Sequence, residues 1–304
     1  MTLEETLAQI KPLDKNAMDV AAKRWDSIAK PLHSLGKMEK LVIQIAGITG
    51  NPDMKIQKRA LVPMCADNGV VEEGVTQTGQ EVTAIVAENF LSGDTSACVM
   101  SRQCGTKVIP VDIGMAVDTK VSKELKVAYG TANMTKGPAM TRAQAVQALE
   151  AGIEMVRRLK EEGYGLLATG EMGIGNATTS SAVASVLLDR SVEEMTGRGA
   201  GLSGDGLNRK INAIRKAIEV NQPDPKDAIG VLAKVGGFDI AGMAGMFLGG
   251  AALGVFFSVT QYQKGKVDLA GALLVILLSA DFFIPMRQLG SFFHIAMNGM
   301  AASD

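Results

Sequence analysis

Three short apolar runs alternate with stretches long enough to form helices, and each run ends in a polar, glycine-bearing loop. The runs are RALVPMCA (Arg59–Ala66), KVIPVDIG (Lys107–Gly114) and YGLLAT (Tyr164–Thr169). Strands kept apart by about a dozen residues or more cannot join as tight hairpins. They pair in parallel, with the intervening helices covering both faces. The expected fold class is therefore α/β, with a doubly wound, mostly parallel sheet. The loops that follow, ADNGVVEEGV, DIGMAVDT and GEMGIGN, would gather at the carboxyl ends of the strands, where such sheets form their ligand crevices.

Local signals support this order. TRAQAVQALEAGIEMVRRLKEEG reads as a helix with Thr141 as N-cap and Gly163 as stop, and it places Val146, Leu149, Ile153, Val156 and Leu159 on one face. QEVTAIVAENFLSG reads as a helix closed by Gly93, and Ala182–Leu188 falls inside a further helix. The opening residues are helical, punctuated by Pro12 and by the turn KPLHSLGK (Lys30–Lys37), with Thr2 and Glu5 forming a capping box. This suggests a small helical N-terminal subdomain at 1–56, an α/β nucleotide- and base-binding domain at 57–250 and an atypical apolar tail at 251–304. From Ile240 to Gln263 no charge occurs, a run long enough to span a bilayer, and Leu269–Ala280 is a second, shorter apolar run. The competing reading of these runs is a buried core helix and strand.

Composition excludes several classes. A net charge of −1 over 304 residues gives no basic field, so no nucleic-acid partner is expected. Cys65, Cys98 and Cys104 match no zinc spacing, and His33 and His294 show no ligand spacing, so no metal is expected. The N-terminus lacks the basic and apolar blocks of a signal peptide, which points to a cytoplasmic chain. No GxSxG or Walker A motif is present. Carboxylates and glycines without a covalent nucleophile favour direct displacement or group transfer.

Three glycine-rich segments carry the candidate chemistry. GEMGIGNATTSSA (Gly170–Ala182) presents Glu171 at a strand–loop–helix turn, facing a helix N-terminus. TGRGAGLSGDGLNRKI (Thr196–Ile211) joins several glycines to Arg198 and Lys210, ingredients for holding a phosphate; a flexible surface loop is the bland alternative. ADNGVVEEGVTQTGQEVT (Ala66–Thr83) offers Asp67, Glu72, Glu73, Gln80 and Glu81, or else simply caps the next helix. LAKVGGFDIAGMAG (Leu232–Gly245) leads paired glycines into a small-residue helix, whose bland reading is tight packing against a neighbour.

Taken in order, RWDSIAKPLHSLGKMEKL, ADNGVVEEGV, GEMGIGN, GRGAGL with RKI, and VGGFDIAGMAG resemble the nicotinate-nucleotide–dimethylbenzimidazole phosphoribosyltransferase family, from about Arg24 to about Gly250. The resemblance implies a Rossmann-like fold without a cofactor. It also implies transfer of ribose 5-phosphate from nicotinate mononucleotide to an aromatic base, making the lower-ligand nucleotide of cobamides, by a homodimer. Glu171 resembles the residue that contacts the acceptor base. Gly173, Gly175, Gly199, Gly201 and Lys210 fall where the family holds phosphate, and Asp67, Asn68, Gln80 and Asn176 belong to the substrate-binding set. Three departures stand out. Asn68 replaces a common histidine, and Thr76–Gly79 replaces a Ser-Ala-Tyr-Pro-like stretch, which opens the acceptor to bases other than dimethylbenzimidazole, phenolic ones included. The family's C-terminal part carries a glycine-flanked glutamate, in a Leu-Gly-Glu-Gly-like stretch, that resembles the principal general base, and here no glutamate follows Glu219. That implies impaired turnover, or an inert nucleotide-binding subunit paired with an active homologue. The stretch FFIPMRQLGSFFHIAMNGMAASD resembles the last membrane helices of ABC exporters of the cytochrome-bd assembly type. It implies a join near Gly250, with membrane association if the tail inserts.

Overall fold

A computed structural model of the chain describes residues 1–254 and the two-residue strand at 256–257. The chain begins with helices α1 (Leu3–Gln9), α2 (Lys15–Ser27) and α3 (Lys37–Thr49), followed by strand β1 (Lys58–Ala66). A 3-10 turn (Gly69–Glu73) leads to α4 (Glu81–Ser92) and α5 (Ser96–Gln103), then to strands β2 (Lys107–Val108) and β3 (Val111–Gly114). Next come α6 (Arg142–Glu161), β4 (Tyr164–Met172), α7 (Asn176–Leu187), α8 (Val192–Met195), α9 (Gly204–Asn221), α10 (Ala228–Val235), α11 (Phe238–Leu253) and β5 (Phe256–Phe257).

All described strand pairs are parallel. The order is β2-β1-β4-β5, with β3 also paired to β1 along the edge that β2 begins. The expected strand KVIPVDIG is thus two segments, interrupted at Pro110, which has no N–H to give to the ladder. Side chains alternate along β1 as the strand period requires. Ala60, Val62 and Met64 enter the main core beneath α6 and α11, whereas Cys65 joins Ala87, Met115 and Val121 on the α4 face. Helices therefore cover both faces, as expected for a doubly wound sheet.

α6 follows its sequence pattern closely. Thr141 caps it through a full capping box with Gln144, Leu149, Ile153, Val156 and Leu159 are buried, and Gly163 follows at φ +86°. The Thr2–Glu5 box also forms, at 3.2 and 2.9 Å. α1 does not stack with α2 and α3. Leu3 enters the main core, and its N–H donates to Glu150 Oε1 on α6 (2.9 Å). Ala17 and Ala21 of α2 pack instead against Ala46 and Ile43 of α3.

The small-residue helix takes its bland reading. α11 is buried from Phe238 to Gly250 and lies against α6 at backbone distance. A Cβ on Gly245 would lie 1.8 Å from Leu149 O, and one on Gly152 would lie 2.0 Å from Gly242 O. The first apolar run is therefore a core helix as far as Leu253, where Gly254 caps it at φ +65°. Among the described residues no helix is long and apolar enough to cross a membrane.

Candidate functional site

The carboxyl ends of β1, β3 and β4 meet the N-termini of α7 and α11, and the predicted residues collect there. β4 runs further than the apolar pattern suggests. Glu171 lies within the strand, in register with Met64 of β1, rather than on the following loop. The strand is extended there because its partner β1 continues to Ala66, so the ladder outlasts the apolar side chains. Glu171 is exposed and accepts a hydrogen bond from Asn176 Nδ2 at the start of α7, while Asn176 Oδ1 accepts from Ala177 N (2.6 Å).

The connecting turn, Gly173-Ile174-Gly175, can form only because both flanks lack side chains. A Cβ on Gly173 would lie 2.1 Å from Ala66 O. Gly175 adopts φ +93° and comes close to Val71. Glycine removes these clashes at the cost of stiffness.

The second glycine-rich segment closes onto the first. Gly199 (φ +57°) sits where a Cβ would be 3.6 Å from Lys210 Nζ and 3.8 Å from Ala177 Cβ. One turn of backbone therefore lies between an ammonium and the first turn of a helix. Lys210 is 2% exposed and donates to Gly197 O (3.2 Å). Gln77 bridges from the Thr76–Gly79 stretch to Gly201 O, and Arg209 Nε donates to Gly74 O (3.2 Å). The two loops thus form one wall.

Asp67, Asn68 and Gln80 lie behind this wall. Asp67 is buried and accepts from Ala116 N through Oδ2 (2.8 Å), and burial holds its carboxyl above the usual range. Asn68 is also fully buried. Its Nδ2 faces Ile174 O (3.4 Å) and Asp239 Oδ2 (3.5 Å), and Gln80 Nε2 donates to Asn68 O (3.2 Å). These side chains shape the turn from below. Glu72 and Glu73 likewise turn to protein partners, Lys136, Asn133 and Thr135, at 2.6 to 3.2 Å. Of the cysteines, Cys65 and Cys98 are buried while Cys104 is exposed, contrary to the expectation from residue type that all three are buried structural thiols. His294 lies outside the described residues.

Asp239 was not singled out by sequence reasoning, although it is the one charge between Lys234 and Lys264. It opens α11, is fully buried, and accepts from Ile240 N through Oδ1 (2.8 Å). Burial pushes its carboxyl from 3.8 up to about 6, with the Asp67 charge adding to the rise and the Ile240 and Asn68 donors opposing it. Between those two pH values the folded protein holds the proton more tightly than the unfolded chain. Stability therefore falls as pH rises through that window, by about 3 kcal/mol from this group. Asp239→Asn should gain about that much relative to the parent between pH 4 and pH 7, whatever constant offset the substitution brings. Urea unfolding at the two pH values measures this, and a pH-independent difference would refute it.

A buried lysine, a helix N-terminus and glycine-rich turns stand together here, an arrangement whose chemistry suits an anion, with the exposed Glu171 nearby. A family model described as phosphoribosyltransferase matches residues 10–259. A nicotinate-nucleotide–dimethylbenzimidazole phosphoribosyltransferase from Ruminiclostridium cellulolyticum is 52% identical, covering 89% of this chain and 77% of that protein. A protein of the same name from Clostridium acetobutylicum is 44% identical, covering 94% of this chain and 81% of that protein. The crystal structure of CobT from Thermus thermophilus matches with a TM-score of 0.75 at 34% identity, over 87% of this chain and 79% of that one.

These matches bear on the tail. Coverage of 94% of 304 residues is about 286 residues, so that alignment passes Gly250 wherever it begins. It removes the ground for a join to foreign sequence there, and the exporter-like stretch itself lies outside the described residues. The chain belongs to the nicotinate-nucleotide–dimethylbenzimidazole phosphoribosyltransferase family.

Proposed function

We propose that this chain transfers the 5-phosphoribosyl group of nicotinate mononucleotide to a ring nitrogen, or a phenolic oxygen, of an aromatic base, yielding the lower-ligand nucleotide of a cobamide. The nicotinate ring is a pyridinium in the mononucleotide. When its bond to the ribosyl carbon breaks, the electron pair returns to the ring nitrogen, so the leaving group needs no proton. The acceptor forms the new bond to the same carbon and gives up a proton. The protein's task is to align two rings and a phosphate, and to receive that proton.

The observation that carries this reading is the approach of Gly199 to both Lys210 Nζ and Ala177. It places a cation and a helix N-terminus beside one stretch of flexible backbone, which suits a phosphate dianion. Glu171, exposed at the end of β4 and bonded to Asn176, is assigned to the acceptor ring. Gly173, Gly175 and Gly201 complete the cradle. Two copies acting as a homodimer in the cytoplasm belong to the same proposal. A catalytically silent subunit is the second reading, and binding without turnover is its signature.

Titration calorimetry with nicotinate mononucleotide, followed by assay of nicotinate release, tests the proposal. Lys210→Ala should weaken binding about tenfold, or roughly 1.4 kcal/mol. Lys210 is buried, so circular dichroism on the same preparation establishes that the variant is folded. Unchanged affinity would sink the assignment, and binding without turnover would favour the silent subunit.

A further inference from the structure

The residue at the centre of the Gly173–Gly175 turn is held at both of its backbone groups by side chains from other elements. Ile174 N donates to Thr83 Oγ1 on α4 (3.1 Å), and Ile174 O accepts from Asn68 Nδ2 (3.4 Å). Thr83 and Asn68 are both fully buried and Ile174 is half-buried, so the side-chain ends of these bonds are shielded from water. Asn68 is itself oriented. Its amide nitrogen has a second acceptor in Asp239 Oδ2 (3.5 Å), and its main-chain carbonyl oxygen accepts from Gln80 Nε2 (3.2 Å). Two acceptors on one side fix which way the amide points.

Asp239 is fixed from the opposite direction. A Cβ on Gly237 would lie 2.3 Å from Asp239 Oδ1 and 2.6 Å from Asn68 Oδ1, so the Gly236-Gly237 turn is pressed against the pair. The turn that most needs flexibility, with glycine on either side, is thus the one given side-chain bonds where a helix or strand would supply backbone ones. A buried amide and hydroxyl spent on one loop residue are more than packing requires, because unmet buried polar groups are costly.

We propose that Thr83, Asn68 and Asp239 are positioning residues that preset the Gly173–Gly175 turn for the nucleotide by securing both backbone groups of Ile174. The inference rests on the reading that this turn belongs to the mononucleotide site. None of the three touches the reacting atoms. Their effect is to remove the cost of ordering the turn when ligand arrives, so losing them weakens binding more than it slows the bound complex.

Four variants of the full chain test this, Asp239→Asn alone being the reference for the double exchange. Thr83→Val keeps the shape and removes the acceptor, and Thr83→Ser returns the hydroxyl. The exchange Asn68→Asp with Asp239→Asn restores a donor–acceptor pair between the two positions but leaves Ile174 O facing a carboxylate. Thr83→Val should weaken nicotinate mononucleotide binding about tenfold in calorimetry, with kcat changed less than KM. Amide exchange in the segment 173–176 should quicken at least tenfold, with other protected segments little changed. Thr83→Ser should return close to the parent in both. The double exchange should recover melting temperature relative to Asp239→Asn alone without recovering affinity. A Thr83→Val protein that binds like the parent, or whose exchange quickens evenly across the fold, overturns the inference. If the unaltered protein fails to bind the mononucleotide, the functional reading falls. In that case faster exchange confined to 173–176 still supports the clamp, and its absence still refutes it.

Discussion

Gly245→Ala is expected to destabilise the protein by about 3 kcal/mol or more, because it inserts a methyl group where two helix backbones already touch. Its Cβ would lie 1.8 Å from Leu149 O, 2.7 Å from Leu149 C and 2.9 Å from Leu149 Cα. No rotamer relieves such a contact, since every atom involved is main chain. α6 and α11 would have to separate, loosening the layer that covers one face of the sheet. Ala60, Val62, Met64 and Leu167 all pack into that layer. Gly249→Ala is the control, since its nearest contact is Ile153 Cα at 3.2 Å. There a shift of a few tenths of an ångström suffices, and alanine's helix propensity returns up to about 1 kcal/mol. Gly249→Ala should therefore be close to neutral. Urea denaturation of both proteins measures the contrast, and equal midpoints would show that close backbone approach is not what these glycines provide.

Much of this architecture is legible in the amino-acid sequence, for identifiable reasons. The amphipathic face of α6 and its Thr141–Gln144 box are local features, spaced by the helix itself, so sequence carries them in full. The parallel pairing of the strands follows from the lengths between them. The failures came where long-range pairing overrides local pattern. β4 extends through Glu171 and Met172 because β1 lies alongside, and nothing in GEM itself favours a strand. Pro110 divides β2 from β3, a cost that only the ladder reveals.

The site is legible in composition and less so in orientation. Glycines around a crevice can be named from sequence because their spacing marks turns. Which way Asn68 faces cannot, because its partners Ile174 and Asp239 come from segments more than a hundred residues away. Asp239 itself is easily overlooked inside an apolar run. A lone carboxylate in such a run is costly to bury unless something meets it, and that cost is the signal that would have found it.

The largest functional effect expected is in turnover. Attack by an azole nitrogen leaves a cationic product that must lose a proton, and a phenolic acceptor must lose its proton as the bond forms. General-base assistance to such a step typically contributes about 10²–10⁴-fold. The resemblance to the family implies that this base is a glycine-flanked glutamate in its C-terminal part. In this chain the carboxylates after Asp239 are Asp268, Asp281 and Asp304, and none has glycine on both sides. Asp239 is fully buried beneath the glycine turn, and Asp67 is buried with one oxygen held by Ala116, so neither is open to an acceptor. Glu171 is the exposed carboxylate of the crevice, but it lies on the strand and is engaged by Asn176. In the proposed reaction, phosphate binding and ring alignment do not draw on that carboxylate, so the 304-residue chain should still bind while its chemical step is slow. The expected kcat is roughly 10²-fold or more below that of a relative carrying the glutamate, with the KM for nicotinate mononucleotide little changed. Replacing the residues after Gly254 with the corresponding part of such a relative should restore the rate. Parallel assays of nicotinate release by the parent, the hybrid and the hybrid's glutamate-to-glutamine variant decide the matter. A parent as fast as the relative would mean that Glu171 or a group in the tail takes the proton. In that case Glu171→Gln should abolish turnover if Glu171 is the base, and leave it largely intact if the tail supplies one.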